Sequence, residues 1–212
     1  MKKKLHYFLL FWALALTSHA APVHAAPSAD DKQGPTAARN TVSPPLVHGL
    51  YDYYEISGAC EKDLQCDLKG KACRFIDGNK YDSVTKWRIG WDYGYRKSGG
   101  MCSAENFRLA VDIVVRIPAW LHRDSATQPL IDKWETYIDH VKTHENEHLE
   151  KVVQAADDLT QAVSLMPPAT TCADLDREIR QLSKSRLKQL EVEQNHYDAE
   201  TNHGWTQGAL FP

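Results

Sequence analysis

Residues 131–163 read IDKWETYIDHVKTHENEHLEKVVQAADDLTQAV. Ile131, Trp134, Ile138, Val141, Leu149, Val152, Ala156, Leu159 and Val163 fall at three- and four-residue steps, with one double step of eight from Val141 to Leu149, the period of one amphipathic helix. It starts after Pro129 and stops before Met166-Pro167-Pro168. A second helix is expected from about Thr171, with Asp174 and Asp176 in its first turn. Leu175, Ile179, Leu182, Arg186, Leu190 and Gln194 lie along one face, and the helix should run to about Tyr197. Upstream the period changes to two. Trp87, Ile89, Trp91, Tyr93 and Tyr95 alternate with polar residues, and so do Phe107, Leu109, Val111, Ile113, Val115 and Ile117, with Pro118 closing the run. Lys97-Ser98-Gly99-Gly100 between them predicts an antiparallel hairpin. A shorter strand is expected over Leu50 to Ile56 and a short helix over Glu61 to Lys69. The fold class is therefore α+β: a small antiparallel sheet followed by two long packed helices.

The first long helix carries His144-Glu145-Asn146-Glu147-His148, an HExxH pattern. Residues four apart share a helix face, so both imidazoles can reach one ion. Glu145, one step round, can meet a water on that ion without being a ligand. The apolar stripe from Val141 to Val152 puts Glu145 and His148 on the core side, where ionisable groups are costly unless something compensates them. A zinc ion and its water would do so, with Glu145 as general base. The bland alternative is a surface helix with two histidines, which leaves the burial unexplained.

A catalytic zinc normally takes three protein ligands. His140, one turn before His144, would string three histidines along a line rather than around an ion. Glu191 and Glu193 on the second helix would complete a two-His-plus-Glu set, and otherwise solvate that helix. His203 lies where the second helix breaks, beside Gly204, which permits a tight turn. Position alone does not choose among them.

Lys2, Lys3 and Lys4 precede the apolar run Tyr7 to Leu16, the order of a signal peptide, assigned to residues 1–25. The run is shorter than the roughly 20 residues that cross a bilayer. Its removal takes away three lysines and no acid, moving the formal charge from −3 to −6, which argues against nucleic acid as partner. Residues 26–45, rich in Pro, Ala, Ser and Thr, read as a flexible linker, and 46–212 as a single domain. Export to the periplasm or beyond makes disulfides the default for Cys60, Cys66, Cys73, Cys102 and Cys172. The spacing of the first three lacks the Cys-x-x-Cys knuckle of a structural zinc site.

His144 to His148, together with Tyr197-Asp198-x-x-Thr201-x-His203-Gly204, resembles the bacterial family labelled DUF922, described as predicted secreted zinc-dependent proteases. Tyr54-Glu55-Ile56-Ser57-Gly58, Tyr81-Asp82-x-x-Thr85-x-Trp87, Cys102 and Ile117-Pro118-Ala119-Trp120 agree, and the similarity spans about Tyr51 to Gly204. The resemblance implies His144 and His148 as zinc ligands, Glu145 as base and His203 as third ligand. On the same motif Tyr197 is expected to donate its hydroxyl to a developing oxyanion, and Asp198 to orient a metal-bound histidine. Cys60, Cys66 and Cys73 look like additions to the family pattern that staple the early helix locally. Cys102 and Cys172 are expected to pair, tying the hairpin to the second helix. The function expected is that of a secreted zinc metallopeptidase acting on a peptide or protein of the cell envelope, with no membrane insertion once the signal is cleaved. The competing readings are a non-catalytic envelope protein with structural zinc, and a zinc amidase or esterase acting on a cell-wall component.

Overall fold

The computed structural model describes residues 40–74 and 80–212; the expected signal peptide and most of the linker lie outside them. The elements are β1 Leu46–Ile56, α1 Glu61–Lys71, β2 Cys73–Arg74, β3 Lys80–Tyr81, β4 Val84–Ser98, β5 Met101–Trp120, α2 Gln128–Leu165 and α3 Cys172–Thr201. The α+β architecture is the expected one: a three-stranded sheet ordered β1-β5-β4, followed by two long helices.

β4 and β5 form the antiparallel hairpin, with Ser98 opposite Met101 across Gly99 and Gly100. Both glycines have positive φ, 59° and 79°, the backbone that a two-residue hairpin turn demands. β1 pairs with the other side of β5 in parallel, from Leu46 opposite Ala110 to Ile56 opposite Trp120, so the sheet is mixed. Parallel pairing requires a long crossover, and the segment from α1 to β4 supplies part of it. Pro118 does not close β5, which runs on to Trp120. The pairing with β4 ends at Val84 opposite Arg116. Beyond it β5 has, among the described residues, a strand neighbour on one side alone, and a proline there breaks no ladder on the other side.

Along β5 the residues Phe107, Leu109, Val111, Ile113, Val115 and Ile117 are all buried. They meet the inward stripe of α2, including Trp134, Tyr137, Val141, Val152, Ala156 and Leu159. Each such side chain contributes about 1.5–3 kcal/mol on leaving water. α3 adds Leu175, Ile179 and Leu190. Its N-terminus is capped by Thr171, whose hydroxyl accepts from the Asp174 amide at 3.1 Å. The disulfide between Cys102 and Cys172 ties the start of β5 to that same end. Cys60, Cys66 and Cys73, expected to form local staples, are free thiols in the structure.

The folded part also begins earlier than residue 46. Asn40 is buried; its amide nitrogen donates to the carbonyls of Val163 at 2.7 Å and Met166 at 3.0 Å, and its amide oxygen accepts from the Ala104 amide at 2.7 Å. Residues 40–45, at the end of the expected linker, are thus fastened to the C-terminal end of α2. No helix among the described residues is long and apolar enough to cross a membrane.

Candidate metal centre

α2 crosses beneath the sheet so that its HExxH turn meets one cross-strand row. Tyr51 and Thr85 both stand opposite Val115. From this row the Tyr51 hydroxyl donates to Asn146 Oδ1 at 2.8 Å, and Thr85 Oγ1 donates to Glu145 Oε2 at 2.6 Å. The sheet thus grips the turn from both sides. His144, Glu145 and His148 are 3%, 3% and 8% exposed, where their charge and polarity demand partners.

α3 supplies those partners. Gln194 and Asp198, four residues apart, project from one face towards His148. His148 Nε2 lies 3.2 Å from His144 Nε2 and 3.0 Å from Asp198 Oδ1, and His144 Nε2 lies 3.3 Å from the same oxygen. Three ligand atoms bonded to one zinc at about 2.0–2.2 Å in tetrahedral directions would be about 3.3 Å apart. The observed triangle fits that requirement without rearrangement. The other ring nitrogens are fixed by amides: His144 Nδ1 faces Gln207 Oε1 at 2.9 Å, and His148 Nδ1 faces Gln194 Oε1. An amide oxygen can only accept, so each Nδ1 carries a hydrogen, and in the neutral ring each Nε2 is left with its lone pair towards the common point.

Without a metal the cluster has to share protons. Burial works against the His148 imidazolium, and the hydrogen bonds to Asp198 and Gln194 with the charges of Asp198 and Glu145 outweigh it, so its pKa lies above the ordinary histidine value. For Asp198 burial again opposes the charged form, and the hydrogen bonds to His144 and His148 prevail. They hold its carboxyl well below the usual carboxylate range.

The structure places two of the expected site residues differently from the sequence reading. Asp198, read as an orienting residue, converges with His144 and His148 as a third group that could hold a metal ion. His203, read as the third ligand, stands one step behind: its Nδ1 is 3.5 Å from Asp198 Oδ1 and its Nε2 is 2.9 Å from the Tyr81 hydroxyl. The physical reason is the length of α3, which runs to Thr201 rather than to about Tyr197 and so carries Asp198 on its inner face. The helix then breaks sharply. Asn202, His203 and Gly204 all have positive φ, 49°, 53° and 82°. For the histidine this conformation costs about 1–2 kcal/mol, a strain of the kind that gathers at functional sites.

Tyr197 lies against the histidines. Its ring stacks on His144 with centroids 5.0 Å apart and 16° between planes. Its hydroxyl stands 3.0 Å and 3.1 Å from the amide nitrogen and oxygen of Gln207, on the Nδ1 side of His144. The ring thus walls the histidine pair, and the hydroxyl is engaged by Gln207. Glu193 is drawn to Arg186 at 3.2 Å, and His140 lies against Gly208. Four contributors escaped the sequence reading of the site. Tyr81 and Thr85 were visible inside the Tyr81-Asp82-x-x-Thr85-x-Trp87 motif, without a role; Gln194 was visible as a polar residue on an apolar stripe. Gln207 carried no signal.

His144, Glu145, His148 and Asp198 open into a cavity of about 980 Å³. β4 forms one side through Val84, Thr85 and Trp87, and the chain end contributes Trp205, Ala209 and Leu210. Trp205 and Leu210 are 56% and 43% exposed, so apolar surface borders a polar centre.

The model of the family described as bacterial protein of unknown function (DUF922) matches residues 51–204. That span holds the HExxH turn, Thr85, Gln194, Asp198 and His203, and stops before Gln207. The description assigns no activity. No curated protein and no solved structure matches the chain.

Proposed function

This chain belongs to the DUF922 family, and we propose that it is a zinc-dependent hydrolase that cleaves peptide bonds. The observation that carries the reading is the convergence of His144 Nε2, His148 Nε2 and Asp198 Oδ1 beside the buried Glu145, at a cavity open to solvent. Zinc held by these three atoms would polarise a carbonyl and bring the pKa of a bound water towards neutrality. Glu145 is the base. Thr85 occupies its Oε2 and leaves Oε1 to take the proton of the attacking water and pass it to the departing amine. The pair of Tyr81 and His203 lines the same cavity. It could donate to the charge that grows on the substrate oxygen.

A structural zinc site is closed by four protein ligands, whereas three converge here among the described residues. Two histidines and a carboxylate also suit iron(II), but a buried glutamate beside the donor set is what hydrolysis needs. The disulfide between Cys102 and Cys172 supports an exported protein, since such bonds persist in oxidising compartments. We therefore place its substrate, a peptide or protein, in the cell envelope.

The test is metal analysis joined to hydrolysis of a quenched-fluorescent peptide library. Wild type should hold one zinc and cleave. Glu145→Gln should keep the zinc and lose about 10²–10⁴ in rate. Undiminished cleavage by that variant would remove Glu145 from the mechanism, and a wild type that binds no divalent metal would end the proposal.

A further inference from the structure

The two imidazoles of the centre are oriented by amides of different origin. Gln194 belongs to α3 and is 9% exposed, and besides meeting His148 Nδ1 it donates to the His148 carbonyl at 2.9 Å. It is held within the helix pair. Gln207 lies beyond α3, in a 3₁₀ turn over Trp205–Gln207, and outside the segment that the family model matches.

What holds that turn is the chain end itself. Gly204 lies so close to His144 that a Cβ there would stand 3.0 Å from its Cγ and 2.8 Å from the Ala209 Cβ, and Gly208 leaves no room for a Cβ beside the His140 ring. Both glycines have positive φ, 82° and 86°. Within the turn the amides of Gln207 and Ala209 donate to the Gly204 carbonyl, each at 3.0 Å. Four residues after Gln207, Phe211 is 5% exposed between two rings of α2, Trp134 at 5.5 Å and Tyr137 at 5.4 Å. The Pro212 carbonyl accepts from the Gln65 side chain on α1. The segment is thus anchored at one end by the glycine turn and at the other by an aromatic plug in the helix that carries His144.

We propose that Trp205 to Phe211 form a strap that positions His144 for the metal through Gln207, so that seating Phe211 and binding the metal are coupled. The proposal rests on the metal reading above. Gln207 is a positioning residue: its Oε1 holds the hydrogen on Nδ1 and thereby keeps the Nε2 lone pair on the point shared with His148 and Asp198. Such outer partners typically set metal affinity by ten- to a hundred-fold. Coupling is reciprocal, so the metal must in turn favour the seated strap.

The test measures zinc affinity of the full chain by competition with a chromophoric chelator, with hydrogen exchange of the amides of residues 205–209 as second readout. Gln207→Leu should weaken zinc by roughly ten- to a hundred-fold, and Gln207→Glu, which keeps an acceptor on Nδ1, should restore it to within a few-fold of wild type. Phe211→Ala should weaken zinc in the same direction without touching the site. Zinc should slow exchange in 205–209 of wild type and do so less in Phe211→Ala. Equal losses in Gln207→Leu and Gln207→Glu, or affinity unchanged in Gln207→Leu while wild type binds zinc, overturn the strap and leave the metal reading standing. Failure of wild type to bind zinc overturns the metal reading and the strap with it.

Discussion

The α2 side of the site and the α3 side are secured by different parts of the molecule. His144, Glu145 and His148 sit mid-helix, nearly solvent-free, beneath a sheet row that hydrogen-bonds the turn through Tyr51 and Thr85. Asp198, His203 and Gln207 lie at a helix end and in the turn after it, partly exposed, with left-handed backbone at Asn202, His203 and Gly204. The α2 side owes its position to the core. The α3 side owes it to Leu175, Ile179 and Leu190 in that core, to a disulfide 26 residues before Asp198 and to turn geometry after it. A rigid half that supplies two imidazoles and the proposed base thus faces a half that would complete the proposed ligand set and can be disturbed locally.

The comparison breaks most visibly at the proposed exchange of ligand roles between Asp198 and His203. Asp198→Ala should abolish stable zinc binding, as His148→Ala should, because each removes one of three converging atoms. His203→Ala should cost no more than about tenfold in affinity, as an outer partner does, and should act mainly on turnover. Zinc content after dialysis separates these cases; loss of zinc in His203→Ala with retention in Asp198→Ala would restore the ligand order read from sequence.

Removing the distal brace of the α3 side is the next largest effect. Cys102→Ser with Cys172→Ser should lower stability by about 2–4 kcal/mol, seen as a drop in the urea midpoint. Cys60→Ser and Cys66→Ser, both exposed free thiols, should shift it by less than about 0.5 kcal/mol. A similar loss in both sets would mean that the early cysteines are paired in the native protein.

Below that stands the turn. Gly204→Ala forces an L-residue to φ near 82° and drives a methyl against Ala209 and His144. It should cost about 1–3 kcal/mol and weaken zinc. On the α2 side Thr85→Val leaves the Glu145 carboxylate without its 2.6 Å donor, a loss of about 1–3 kcal/mol. That variant should slow hydrolysis with zinc content unchanged. If Thr85→Val released zinc and Gly204→Ala did not, the division of labour between the two sides would be reversed.

The sequence revealed these halves unequally. α2 was legible because its period, its proline flanks and the HExxH turn agree, and the hairpin because the alternation on either side of Gly99-Gly100 agrees with the turn. β1 in parallel with β5 was not legible: local pattern says that a strand exists, and nothing in Leu46 to Ile56 names a partner more than sixty residues on. The exchange of Asp198 and His203 came from a single helical turn. A break was expected near Tyr197, and whether the helix ends there or at Thr201 decides which side chain faces His148. Gln207 was invisible because a glutamine in an irregular tail has no pattern to betray it.

The smallest effect expected, and the one that separates the metal-free from the loaded site, is in pH. With zinc chelated, His148 titrates above its ordinary 6.5. A raised folded pKa contributes stability that is complete below the unfolded value and is lost as pH rises through the folded one. Asp198 titrates below its ordinary 3.8, so its contribution is complete above that value and is lost as pH falls through the lowered one. The imidazolium and carboxylate therefore stabilise the metal-free protein most between about pH 4 and 6.5, and less towards pH 8. Zinc reverses the slope: it needs neutral His148, protons compete with it below the raised pKa, and its stabilisation grows from pH 6 to 8. Melting temperatures of wild type and Asp198→Asn, each with chelator and with zinc across pH 5.5–8.5, isolate the pair. The chelated wild type should gain on the variant as pH falls and the zinc-loaded wild type should gain on it as pH rises. Parallel curves in chelator would mean that His148 and Asp198 do not share a proton, and that the α3 side meets the α2 side through the metal alone.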